Sequence, residues 1–133
     1  MLYRKAYDRL LTWKGQPKRK ALCVMGARQI GKTTLIRQFG KEQYSCFVEI
    51  NFITDTDATK IFAGNLDANT IITNLTAYTR KPMIPGNTLV LLDEIQACPN
   101  ARTAIKFLVE DGRFDYIESG SLLGVRHKEV RSY

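Results

Sequence analysis

An eight-residue motif constrains this 133-residue chain more than any other feature of its sequence. Gly26 to Thr33 (GARQIGKT) matches the pattern GxxxxGK[ST] at every defined position. The apolar residues Ala21 to Met25 before it predict a β-strand, and Thr33 to Phe39 after it predict a helix that ends at Gly40. A glycine-rich turn between a strand and a helix is the context in which this motif binds phosphate.

The spacing of the motif suits a polyphosphate. Glycines let the backbone turn sharply, so that successive N–H groups and the helix N-terminus converge on phosphate oxygens. We expect Lys32 to place its charge on the β- and γ-phosphates, Thr33 to offer its hydroxyl to Mg²⁺, and Thr34 to donate to a further phosphate. Arg28 and Gln29 fit contacts to phosphate or to a neighbouring subunit, and fit solvated loop residues equally well. The predicted nucleotide-binding residues are Gly26, Ala27, Arg28, Gln29, Ile30, Gly31, Lys32, Thr33 and Thr34.

A second apolar strand ends in two acidic residues. Leu89 to Leu92 is followed directly by Asp93 and Glu94. Phosphoryl transfer depends on positioning and charge, so we expect Asp93 to hold the Mg²⁺ shell and Glu94 to polarise the attacking water. Taken alone, two acids at the end of a strand also fit a strand that simply meets water there.

Strands alternate with helices along the rest of the chain. Two further strands are predicted at Cys46 to Phe52 and Phe114 to Glu118, and an amphipathic helix at Leu2 to Trp13. Two helical segments with aspartate caps are predicted at Asp55 to Gly64 and Asp67 to Arg80. A helix opened by proline is predicted at Pro99 to Gly112. Parallel strands need crossover connections, which are usually helices. The predicted fold class is therefore α/β with a mainly parallel sheet.

Three segments, GARQIGKTTLIRQFG, LVLLDEIQ and ESGSLLGV, together resemble the AAA-type P-loop ATPase domain of bacterial and archaeal ATPases that carry a C-terminal domain of unknown function. The resemblance runs from about Tyr3 to the C-terminus. It implies a three-layer α/β/α fold of the ASCE type with strand order 5-1-4-3-2, in which an extra strand separates the phosphate-loop strand from the acidic one. It also implies ATP and Mg²⁺ as cofactors, Walker A roles for Lys32 and Thr33, and Walker B roles for Asp93 and Glu94.

The same resemblance implies a polar sensor at Ser119 or Ser121. A hydroxyl leaving the carboxyl end of a parallel strand points into the crevice where ligands bind. Either hydroxyl is equally suited to cap a turn beside Gly120. The predicted catalytic residues are Glu94, Lys32, Ser119 and Ser121, and the predicted metal ligands are Thr33 and Asp93.

We interpret residues 1–133 as one incomplete P-loop ATPase domain, because the length suits a single domain. Too few residues follow Ser121 for the last core strand, so we expect that strand, the lid and the C-terminal domain beyond Tyr133. Arg126 and Arg131 lie in a polar tail, and neither is assigned as an arginine finger. ATP binding without turnover is therefore an alternative to hydrolysis.

Basic residues concentrate in the first third of the chain. Residues 1–41 contain 11 basic residues and one acidic residue, whereas residues 42–133 contain nine basic and 12 acidic residues. Lys14, Lys18, Arg19 and Lys20 make a nucleic-acid-binding module an alternative function, although no reader motif supports it. Expected partners are ATP and other copies of the ATPase domain.

Other function classes find less support in the sequence. A GTPase would need an NKxD-like motif that recognises guanine, and a small-molecule kinase would need an arginine-rich lid. The sequence contains neither. Cys23, Cys46 and Cys98 are widely spaced, and only His127 is available to complete a metal site, so we expect buried reduced thiols in a cytoplasmic protein. The longest apolar run, Leu89 to Leu92, is far shorter than the roughly 20 residues that span a bilayer.

Overall fold

The structure, a computed structural model, describes residues 2–17, 19–24 and 31–120. Its sheet contains the strands β1 (Leu22–Val24), β2 (Cys46–Asn51), β3 (Thr88–Asp93) and β4 (Asp115–Ser119), in the spatial order β1-β4-β3-β2. All neighbouring strands are parallel. The fold class is α/β, as predicted, and β4 separates the strand before the glycine motif from the acidic strand.

Helices cover both faces of this sheet. They are α1 (Leu2–Lys14), α2 (Lys32–Gln43), α3 (Ala68–Thr79) and α4 (Pro99–Asp111), with two 3₁₀ helices at Thr56–Phe62 and Ile95–Ala97. Within the described part of the chain, none of the helices has the length and apolar character needed to cross a bilayer.

The central strand β3 is buried along its whole length. Leu89 and Leu91 pack in a cluster with α1 and α2, whereas Val90 and Leu92 pack in the cluster beneath α3 and α4. A strand that is covered on both faces needs apolar side chains at successive positions, which explains its uninterrupted apolar run. Asp93 is therefore the last residue of a strand that is packed on both faces.

The predicted helix signals are only partly confirmed. The Asp67 carboxylate accepts from the Thr70 N–H and caps α3, and Gly112 ends α4 with φ at 79°. Asp55 was expected to cap a helix in the same way, and this prediction is wrong: its side chain makes no cap hydrogen bond and the segment is a 3₁₀ helix. Its carboxylate instead accepts a hydrogen bond from the Tyr78 hydroxyl at 2.6 Å.

The predicted end of α2 at Gly40 is also wrong, because the helix continues to Gln43. Gly40 is buried against the ring of Phe47, and a Cβ atom there would lie 2.3 Å from the Phe47 Cδ1. The glycine is needed for close approach of α2 to β2, rather than for a change of backbone direction.

We expect Gly40→Ala to lower the free energy of unfolding by about 1–3 kcal/mol, since the clash exceeds the roughly 1 kcal/mol that alanine gains in a helix. Urea denaturation followed by circular dichroism measures this. In a Phe47→Ala background the ring is absent, so the same substitution should be neutral or stabilising. Equal destabilisation in both backgrounds would contradict the packing explanation.

Candidate active site

Gly31 sets the direction in which α2 begins. It lies in the left-handed region with φ at 99°, and a Cβ atom at this position would have none of the described atoms within 4 Å. The glycine is therefore required by its backbone angle, as the motif predicts, and not by lack of space. Among the described residues no side chain caps the N-terminus of α2, so its first N–H groups stay available for an anion.

Lys32 connects α2 to the end of β4. Its Nζ donates to the Gly120 carbonyl oxygen at 2.6 Å. An ammonium group has three N–H donors, and among the described residues one hydrogen bond of Lys32 is seen. The ammonium is thus held at the carboxyl edge of the sheet, where α/β proteins bind their ligands.

Asp93 is the centre of a hydrogen-bond network across three strands. It is 5% exposed, and its Oδ1 accepts from the Ser119 Oγ at 2.7 Å and from the Glu94 N–H at 2.9 Å. The Asn51 Nδ2 lies 3.5 Å from Oδ2. The buried Ser119 hydroxyl therefore meets the predicted metal ligand instead of capping a turn.

Glu94 has an unusual backbone conformation for a residue with a side chain, with φ at 53° and ψ at 46°. This left-handed conformation costs about 1–2 kcal/mol for a residue other than glycine. The carboxylate Oε1 accepts a hydrogen bond from the Gln96 Nε2 at 2.7 Å. Strained residues of this kind cluster at functional sites.

An ion pair that the sequence analysis missed lies on the β2 side of the site. Arg37, one helical turn after Thr33, bonds both carboxylate oxygens of Glu49 at 2.6 and 2.7 Å. The hydrogen bond to Glu49 is the main cause that raises the pKa of Arg37, and the charge of Asp93 adds to it. The available signal was the alternation in CFVEIN, which places Glu49 and Asn51 on the face opposite Val48.

A second buried acid, Glu118, lies directly before Ser119 but does not join this network. Its carboxylate is 3.3 Å from the Arg102 guanidinium on α4, on the other side of the sheet. Burial raises the pKa of Glu118, and the charge of Arg102 opposes that rise. Glu118 therefore belongs to the packing of α4 against β4.

The oxygen donors of the two predicted metal ligands suit Mg²⁺ bound together with a nucleotide. Asp93 offers a carboxylate and the half-buried Thr33, in the first turn of α2, offers a hydroxyl. Mg²⁺ is usually held by one or two protein oxygens together with phosphates and water. Within residues 2–17, 19–24 and 31–120, no group of three or more His, Cys, Asp or Glu side chains suited to a metal occurs.

Several predicted site residues lie outside the described residues, and their roles stay predictions: Gly26, Ala27, Arg28, Gln29, Ile30 and Ser121. The same holds for Lys18, Arg126, His127 and Arg131. Thr34 is described and is exposed on the first turn of α2. Lys32, Asp93 and Ser119 are the predicted residues that the structure brings to one edge of the sheet.

A family model described as an AAA domain matches residues 18–133. The chain belongs to the AAA domain family. The match confirms the resemblance to AAA-type P-loop domains, which bind nucleotides, and it includes the glycine motif and the acidic strand. No protein with a curated function matches the chain.

Two solved structures are similar to this AAA domain. The ORC1 protein of Aeropyrum pernix, solved in complex with DNA, has a TM-score of 0.52 and 16% sequence identity, over 96% of this chain and 40% of that chain. The ORC2 protein of Aeropyrum pernix, in its ADP form, has a TM-score of 0.42 and 20% identity, over 90% and 40%. The chain thus spans 40% of the length of either protein. At this identity, the likeness to ORC1 shows the fold alone.

Proposed function

We propose that this AAA domain binds ATP with Mg²⁺ and hydrolyses it. The observation that carries the proposal is that Lys32, Asp93 and Ser119 lie at one edge of the sheet. Lys32 reaches the end of β4 through Gly120, while Ser119 from β4 bonds Asp93 from β3. A cation suited to phosphate, from the start of α2, and a carboxylate suited to a hard metal ion, from the end of β3, thereby lie at the same edge of the sheet.

Each residue has a distinct task in this proposal. Lys32 and the N–H groups at the start of α2 bind the phosphates, and Thr33 with Asp93 holds the metal. When bound, Mg²⁺ neutralises charge on the phosphates. Glu94 accepts a proton from the attacking water. Ser119 orients the Asp93 carboxylate by donating to its Oδ1.

The contacts of one residue bear on the nucleic-acid alternative. Arg19, one of the basic residues on which that alternative rests, forms an ion pair with Asp115 at 2.8 Å and donates to the Gln16 carbonyl oxygen. A guanidinium held in this way has fewer donors for a phosphate backbone. Self-association through the ATPase domain stays a prediction.

We expect purified protein to release phosphate from ATP only in the presence of Mg²⁺. Chelation with EDTA should stop the release and excess Mg²⁺ should restore it, because the Asp93 carboxylate, an anion, can act on the phosphates only through a bound cation. A coupled phosphate assay measures this, with binding of a fluorescent ATP analogue followed in parallel. Binding without release would support the alternative of an ATP-binding domain without turnover. Release that is indifferent to chelation would contradict the proposal.

A further inference from the structure

Gln96 lies beside the acidic residue to which we assign proton transfer. It belongs to the 3₁₀ helix Ile95–Ala97, two residues after Glu94. Its Nε2 donates to the Glu94 Oε1 at 2.7 Å. Its other amide atom, Oε1, is buried and has no hydrogen-bond partner among the described residues.

The bond to Glu94 fixes which way the amide of Gln96 faces. Nε2 can only donate and a carboxylate oxygen can only accept, so the two amide atoms cannot exchange places. The carbonyl oxygen Oε1 is consequently held next to the Glu94 carboxylate. A buried acceptor left unpaired costs about 1–3 kcal/mol, so the position of this amide beside Glu94 requires an explanation.

The backbone beneath Gln96 is well restrained. The Ala97 N–H donates to the Glu94 carbonyl oxygen at 3.0 Å, and the Cys98 N–H donates to the Ile95 carbonyl oxygen at 2.9 Å. Ile95 is fully buried in the core. A side chain that leaves such a turn can orient its neighbour reproducibly.

We propose that Gln96 is a positioning residue for ATP hydrolysis, which holds the Glu94 carboxylate through the hydrogen bond from its Nε2. The inference rests on the proposed function. A carboxylate that is held in one orientation can accept a proton from the attacking water in a reproducible geometry. In the step itself, the water oxygen bonds the γ-phosphorus and the bond from that phosphorus to the β–γ bridging oxygen breaks. Glu94 takes one proton, and Gln96 exchanges none.

Gln96→Met tests the role, because methionine keeps the length of the side chain and removes both amide atoms. We expect kcat to fall about 10- to 100-fold, the range for a misplaced reacting group, with KM for ATP nearly unchanged. In a Glu94→Gln background the same substitution should cause no further loss, since the group that Gln96 positions is already absent. Equal losses in both backgrounds would overturn the inference.

Gln38→Met is a matched control. Gln38 also donates through Nε2 to a glutamate, Glu42 at 3.1 Å, on the exposed surface of α2. Kinetics should be unchanged in this variant. A loss of kcat equal to that of Gln96→Met would show that removal of any such glutamine acts through general destabilisation, and would overturn the positioning role.

A second readout needs no nucleotide. In ¹⁵N–¹H spectra of the whole chain, the side-chain amide signals of Gln96 should move in Glu94→Ala while those of Gln38 stay in place. If the Gln96 signals did not move in Glu94→Ala although the unaltered protein hydrolyses ATP, this inference alone would be overturned. Absence of turnover in the unaltered protein would overturn the proposed function, and with it the hydrolytic role of Gln96.

Discussion

Lys32→Ala is expected to weaken Mg-ATP binding by about 100-fold or more, because it removes hydrogen bonds from a charged donor worth about 1.5–3 kcal/mol each. The Lys32 ammonium already lies at the carboxyl edge of the sheet, where its Nζ donates to the Gly120 carbonyl oxygen. Titration with a fluorescent ATP analogue measures the affinity. Lys32 is only half-buried and lies at the first position of α2, so its side chain is not part of the core. Circular dichroism should therefore show an unchanged fold.

A matched control separates this effect from a general loss of positive charge. Lys18→Gln combined with Lys20→Gln removes two cations from the basic segment before β1, while Arg19 is kept because of its ion pair with Asp115. Nucleotide affinity should stay at the level of the unaltered protein. If the control lost nucleotide-independent binding to a DNA duplex and Lys32→Ala kept it, the nucleic-acid alternative would gain support instead.

Glu94→Gln is expected to reduce kcat by about 10²- to 10⁴-fold, the usual contribution of a general base, and to leave the affinity for Mg-ATP nearly intact. Glutamine has the same shape but cannot take a proton from water at neutral pH. Phosphate release under single-turnover conditions, together with equilibrium binding of the fluorescent analogue, measures the two quantities separately.

Glu110→Gln provides the corresponding control, because Glu110 is an exposed glutamate near the end of α4. Its turnover should equal that of the unaltered protein. Comparable phosphate release by Glu94→Gln would remove Glu94 from the proton-transfer role, whereas a large loss of affinity would assign it to nucleotide binding.

The strands and the position of the acidic residues were predictable because their signals are local. The apolar run Leu89 to Leu92 has the composition of a strand covered on both faces, and β3 is that strand. The order of strands was available only through the family resemblance, since no local pattern places β4 between β1 and β3.

The parts of the site that the sequence did not predict depend on contacts between distant elements. Asn51 reaches Asp93 because the two residues are aligned in the register of β2 and β3. Arg37 meets Glu49 only when α2 lies across β2. The helix signal at Gly40 was misread for the same reason, because the ring of Phe47 that requires glycine belongs to another element.

The left-handed backbone at Glu94 lowers the stability of the fold at a position that the proposed reaction requires. Glycine adopts a positive φ without penalty, so a chain optimised for stability alone would have glycine after Asp93. A glutamate there costs on the order of 1 kcal/mol of folding free energy. The proposed proton acceptor accounts for that cost, since glycine would relieve the strain and abolish the reaction together.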